Sequence, residues 1–294
     1  MKTFLTFFFG CSLCVTALAQ PELLQMMDTE KTFAQKVGEG TKSAFLEFLA
    51  DDSVIFRPNA VNGKQYWMSQ PEPASMTLVR KSTYGDISAN GLLGYTTGNW
   101  RLYPKGKSES PAKFGQFVTI WEKKPDGNFR ASVDIGTTHE KLFFTETDPQ
   151  LPSGQSRDFN KRGWSAADPS MNFLRMSMSR ESLGGAYAKF AAADVRLLLE
   201  DAPPITGRKK VVEEMNRYVS IDFPKKIALF QSADMAYLWN ACEFSNNNEG
   251  TEKGNCLQIW KLRNKKWWIV LGVFARIPNE TEPILKNKSK NKKR

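Results

Sequence analysis

His139 is the only histidine in the chain. It follows the strand-like run RASVDIGTT, near what reads as a pocket rim, and an imidazole has the pKa for general-base work near neutrality. No neighbour in sequence supplies an orienting partner, so the competing reading is an ordinary loop residue. Cys242 and Cys256 flank the polar turn EFSNNNEGTEKGN between two strand-like runs. Hairpin geometry would set them directly opposite each other, and a disulfide there is the expectation, against two buried free thiols. Two cysteines and one histidine fall short of a structural zinc site, so neither metal nor cofactor is expected. Asp51 and Asp52 read as turn formers before a strand. Phosphate-cradling glycine loops, serine-nucleophile elbows and metal-binding histidine pairs are all missing. Their absence removes the commonest kinase, hydrolase and metalloprotease readings and leaves unmarked acid–base chemistry open.

The two ends carry signals of their own. Residues 1–19 have an early Lys2, an apolar run and Ala17-Leu18-Ala19, the pattern of a secretory signal peptide cut after Ala19. A lipoprotein reading would use Cys11, but Phe8 and Phe9 are bulkier than such sites carry. No other apolar run approaches membrane length, so a secreted or periplasmic protein with no transmembrane segment in its mature chain is expected. The formal charge is +10, yet six of the basic residues crowd into KNKSKNKKR at 286–294. That tail, part of a basic disordered segment 279–294, is suited to touching anionic surfaces. Lacking interleaved aromatics, it does not predict a specific nucleic-acid partner.

The elements that must position any chemistry occur twice. AFLEFLADDSVIFRPNAVNGKQ resembles AYAKFAAADVRLLLEDAPPITGRK further along, GYTTGNW pairs with AYLWNACEF, and Ile120-Trp121 matches Ile259-Trp260. Each copy predicts an amphipathic helix (22–37, then 169–181), a short second helix, a strand, a helix opened by Gly63 or Gly207, and four β-rich runs. Asp126-Gly127 and Asn264-Lys265 mark hairpin turns. Helices followed by an antiparallel meander argue an α+β fold with helices packed on a curved sheet. The boundaries read are 22–138 and 169–278 for the two domains, with 139–168 as a linker.

FLADDSVIFRPNAVNGKQ, GLLGYTTGNWRL and GQFVTIWEKKPDGNFRASVDIG together resemble the nuclear transport factor 2-like superfamily, nearest its SnoaL-like and domain-of-unknown-function branch. The resemblance implies two tandem cone-shaped α+β domains, each with a pocket between sheet and helices, and pairing through the open sheet faces, here within one chain. It also implies two uses for the pocket. One is binding a small apolar ligand between Tyr66, Trp67, Tyr95, Trp100 and Trp121 of the first cone. The other is acid–base chemistry of isomerase or polyketide-cyclase type, with Asp134, His139 and Asp86 as candidate groups. Strict alternation puts Ala131, Val133 and Ile135 toward the core, which turns Asp134 to the outer face. The second copy carries larger side chains where the first has GYTTGNW, and is expected to support rather than bind.

Overall fold

The computed structural model describes residues 20–71, 76–104, 113–139, 149–152, 182–222, 228–246 and 250–278. The expected signal peptide, the helix at 169–181, most of the linker and the basic tail lie outside them.

In the first unit, helix α1 (Pro21–Glu39) starts on a proline, whose missing N–H costs nothing at that position. It buries one stripe, Leu23, Met26, Glu30, Phe33 and Val37, at helical spacing. Gly40 breaks the helix and α2 (Thr41–Phe48) follows. Strand β1 (Leu49–Phe56) then runs into the short β2 (Ala60–Asn62). Helix α3 (Gly63–Ser69) is capped by the Asn62 side chain, which accepts from the Gln65 N–H at 2.9 Å. The meander is β3 (Thr77–Ile87), β4 (Leu93–Tyr103), β5 (Lys113–Lys123) and β6 (Phe129–His139).

The second unit repeats the plan. Helix α4 (Leu183–Phe190) is capped by Ser182 and leads to β7 (Ala191–Leu199) and β8 (Ile205–Thr206). After α5 (Arg208–Met215) come β9 (Tyr218–Asp222), β10 (Ala228–Ser232), β11 (Met235–Asn246), β12 (Gly250–Arg263) and β13 (Lys266–Arg276). The first of the four β-rich runs expected in the second copy, near 222–231, is thus two strands, both pairing with β11.

The sheets have matching orders: β2-β1-β6-β5-β4-β3, and β10-β11-β12-β13-β7-β8 with β9 also on β11. In each, the strand after the helices returns to lie parallel to the last strand of the meander. Both hairpins carry a bulge at the same place, between Ile120 and Trp121 and between Ile259 and Trp260, which bends each sheet around its helices. Positive φ at Gly127, and at Asn264 and Lys265, makes the two turns read from sequence. The fold is therefore α+β in two tandem helix-on-bent-sheet units.

The outer faces of the two sheets meet. Tyr95, Val118, Ile120, Val133 and Ile135 share one apolar cluster with Tyr237, Leu257, Ile259, Leu271 and Val273. At its margins Phe56 meets the Trp239 ring at 5.9 Å, Asn255 Nδ2 donates to the Pro58 carbonyl at 2.7 Å, and Glu200 accepts from the Thr138 N–H at 2.9 Å.

Cys242 and Cys256 are joined by a disulfide, with Cα atoms 6.0 Å apart. They are not directly opposite: Cys242 pairs with Gly254 and Cys256 with Asn240, because the turn centres one residue earlier than the sequence suggested. Replacing both by serine is expected to cost about 3 kcal/mol, the closure entropy of a loop this long, seen as a lower denaturation midpoint. A loss under about 1 kcal/mol would assign the hairpin's stability to its ladder alone.

Candidate functional site

Between α2, α3 and the concave face of the first sheet lies a cavity of about 650 Å³. Alternation along the strands supplies its sheet wall: Phe117 and Lys113 from β5, Trp100 and Leu102 from β4, Asp134, Gly136 and Thr138 from β6. Phe45, Tyr66 and Trp67 close it from the helices, with Phe45 and Trp67 stacked at 4.9 Å. Trp100 lies flat on the sheet, donating its indole N–H to the Gln116 carbonyl at 3.1 Å. Gly115 makes this possible, since a Cβ there would fall 2.4 Å from the Trp100 ring and 1.9 Å from the Thr137 carbonyl oxygen.

A buried charge cluster forms the depth of the cavity. Arg80, on β3, reaches inward between the rings of Phe117 and Phe33, 3.8 and 4.6 Å from their centroids. Its Nε lies 3.1 Å from Glu30 Oε1, its Nη1 lies 3.1 Å from Asp134 Oδ2, and its Nη2 donates to Thr119 Oγ1 at 2.6 Å. Thr119 passes a hydrogen bond to the same Asp134 Oδ2 at 2.7 Å. Thr96 donates to Glu30 Oε2 at 2.7 Å and accepts from the Trp121 indole at 3.0 Å. Glu30 is fully enclosed, and burial pushes its carboxyl above the usual carboxylate range, against the Arg80 guanidinium and the Thr96 hydroxyl, which pull it down. Asp134 keeps 13% of its side chain exposed. Among the described residues both of its donors go to Oδ2, which leaves Oδ1 as an acceptor.

The placement of Asp134 corrects the sequence reading. Ile120 pairs with Val133 but Trp121 pairs with Ala131, so Ser132 is an extra residue in the ladder. Ala131 therefore packs in the cone while Val133 and Ile135 face the second unit, and Asp134 turns inward. Of the expected pocket aromatics, Tyr66, Trp67 and Trp100 line the cavity. Trp121 is fully buried in the core of the cone, edge-on to Phe33 at 6.0 Å. Tyr95 is on the opposite face, packed with Tyr84 against the second unit. His139 is buried, its Nε2 3.3 Å from Gln116 Nε2, and is not part of the cavity wall. Asp86 is buried too, but between the units, 3.5 Å from Lys261 Nζ. Sequence reasoning missed Glu30, Arg80, Thr96 and Thr119. The available signal was Glu30, an acid in the apolar stripe of α1.

Register identifies what the second unit holds at these positions. Asp134 pairs with Ile55 and Thr119; the matching ladder positions put Gly272 between Leu197 and Gln258. Cys242 stands for Trp100, and Phe274 for Gly136. A Cβ on Gly254, the match of Gly115, would meet the Phe274 ring at 2.4 Å. The same glycine thus floors a ring in both units, supplied by β4 in one and β13 in the other, but the acid exists only in the first.

No family model matches the chain, and no curated protein matches it in sequence. Among solved structures it is similar to a nuclear transport factor 2-like superfamily protein from Salmonella enterica, at 11% identity over 40% of this chain and 93% of that one, TM-score 0.32. It is also similar to a ketosteroid isomerase-like protein from Erwinia carotovora atroseptica, at 16% identity, 38% and 94% coverage and TM-score 0.32. A protein of unknown function with a cystatin-like fold from Nostoc punctiforme matches at 15% identity, 40% and 92% coverage and TM-score 0.31. The solved structures that this chain resembles are thus nuclear transport factor 2-like and cystatin-like proteins.

Proposed function

We propose that the first unit binds a small, largely apolar molecule in its cavity and that the second unit serves as a fixed structural partner. The observation that carries this is a carboxylate, Asp134, in the wall of a cavity rich in aromatic rings, with Arg80 and Thr119 both bound to its Oδ2. An apolar body gains from leaving water against Trp67, Phe117 and Trp100, and one donor group on it meets Asp134. The second reading, proton transfer to or from a bound substrate, is favoured by the same carboxylate. Export to an oxidising compartment is part of the proposal, supported by the leader-like N-terminus and by the Cys242–Cys256 disulfide.

A thermal-shift screen with apolar phenols, amines and carboxylic acids tests the binding reading. At least one compound is expected to raise Tm for the wild-type chain and to fail with Gly136→Phe, which copies the ring that Phe274 supplies in the second unit. Asp134→Asn keeps the shape of the site and is expected to weaken that compound by about tenfold, the worth of one hydrogen bond to a charged group. If no compound shifts Tm, or if the cavity-filled variant responds as the wild type does, the reading is wrong. Turnover that disappears in Asp134→Asn while binding persists would select the enzymatic reading.

A further inference from the structure

The cavity is polarised along its length, and the strand ladder acts as a ruler. Asp134 is level with Thr119 on β5 and with Ile55 on β1. From Thr119 the wall runs through Phe117 and Gly115 to Lys113, six residues toward the mouth, or about 20 Å of extended strand. From Ile55, the parallel β1 ends at Phe56 and Arg57 follows directly, two residues on and about 7 Å of chain beyond the level of Asp134. Arg57 and Lys113 both line the cavity and both are exposed. Neither has a carboxylate within ion-pair distance among the described residues, unlike Arg80 in the depth, which has two. The Arg57 guanidinium is held over the rings of Tyr66 and Trp67, at 5.7 and 5.9 Å, and gives one N–H to the Phe56 carbonyl at 2.7 Å. Among the described residues its other donors have no partner, which leaves them for a ligand.

The charges therefore run from an acceptor carboxylate inside, past aromatic walls, to two unneutralised cations at the opening. Building on the cavity reading above, we infer that the ligand is an elongated, flat, largely apolar molecule with a hydrogen-bond donor at one end and an acidic group at the other. The donor, a hydroxyl or amine, seats on Asp134 Oδ1. The acid, a carboxylate, phosphate or sulfonate, meets Arg57, and Lys113, farther along the wall, adds a second positive charge at the mouth. The reverse orientation would press the ligand's anion against Asp134, beside an Arg80 guanidinium already engaged by Glu30 and Asp134. A purely apolar molecule would leave both rim cations without a counter-charge, and one without a donor would leave Asp134 Oδ1 desolvated and unpaired.

Calorimetric titration of the mature chain with three probes of one shape tests this. The first is a hydroxybiphenyl carboxylate with its two groups at opposite ends; the second is its primary amide; the third is the biphenyl carboxylate without the hydroxyl. The hydroxy acid is expected to bind about tenfold tighter than either of the others at low salt. Arg57→Gln with Lys113→Gln should bring the hydroxy acid down to the level of the amide and leave the amide unchanged. Arg57→Lys with Lys113 intact should keep the preference. Asp134→Asn should bring the hydroxy acid down to the level of the acid that lacks the hydroxyl. Arg57 and Lys113 are exposed, so circular dichroism and Tm should be those of the wild type. Equal affinity of the wild type for the acid and its amide overturns the inference and leaves the cavity reading standing. So does a double variant that weakens acid and amide alike. Failure of all three probes to bind also overturns it, and the comparison of wild type with Gly136→Phe in the thermal-shift screen then decides separately whether the cavity binds at all.

Discussion

Replacing Arg80 by methionine is expected to destabilise the chain by about 3–5 kcal/mol, the cost of stripping the counter-charge from buried carboxylates. Arg80 is 2% exposed in its side chain and Glu30 is fully buried, so water cannot take over the lost contacts. Methionine keeps the aliphatic stem and removes the guanidinium, and with it the charge, its hydrogen bonds and its contact with the Phe33 and Phe117 rings. Two carboxylates then face each other across the end of the cavity with only the hydroxyls of Thr96 and Thr119 to hold them. Adding Glu30→Gln to Arg80→Met is expected to return most of the loss, because the acid in the driest position no longer carries charge. Equilibrium denaturation of the single and double variants checks both statements. A single variant within about 1 kcal/mol of wild type would mean that the cluster is not coupled as its geometry implies.

The pH dependence follows in sign from Glu30. Its folded pKa is raised, mainly by burial, so the folded chain holds a proton that the unfolded chain has already released. The stability this group contributes is fully present below the ordinary carboxylate range and is lost as pH rises through the raised value. In Arg80→Met the guanidinium no longer opposes that rise. The variant's deficit should accordingly be smallest in acid and grow toward neutrality, and Glu30→Gln should flatten the profile.

The architecture was legible because it is written locally and twice. Period-two runs, the turn residues Asp126-Gly127 and Asn264-Lys265, and the repeated Ile-Trp pair each specify a hairpin without reference to the rest of the chain. The interior of the site was not, for two physical reasons. Alternation assigns faces only until the ladder slips: the bulge at Ser132 reverses everything beyond it, and Asp134 changes sides with Val133. Alternation also says which residues share a face without saying which face is the cavity. Tyr95 and Trp100 are five apart on β4, whose ladder with β5 has no slip, so the two side chains fall on opposite faces. Arg80 gave no signal at all, because a lone arginine on an edge strand reads as solvated until a helix bearing Glu30 is laid over it.

Lys261 poses the same problem between the units, and Lys261→Met is expected to cost a further case of about 3–5 kcal/mol. Its side chain is 9% exposed, with Nζ 3.5 Å from Asp86 and 3.4 Å from Asp234, and it donates to the Ile87 carbonyl. Asp86 and Ile87 belong to the first unit and Asp234 to the second, whose Oδ1 in turn accepts from the Ala89 N–H at 2.7 Å. Register makes Glu122 the counterpart of Lys261, each directly following the bulge tryptophan of its hairpin. Glu122 also reaches across, accepting from the Tyr237 hydroxyl at 3.1 Å. The two positions are equivalent and their charges opposite, so the paired faces are complementary in a way two identical copies could not be. Lys261→Glu, which restores identity, should be worse than Lys261→Met, because it adds a third carboxylate beside Asp86 and Asp234. Lys261→Met with Asp86→Asn should recover part of the loss. These variants act on the contact between units and leave the first cavity's walls untouched. Denaturation followed both by far-ultraviolet circular dichroism and by tryptophan fluorescence is expected to stay coincident in the wild type and to separate in Lys261→Glu. Coincident, unshifted transitions in both single variants would show that the apolar faces alone hold the units together.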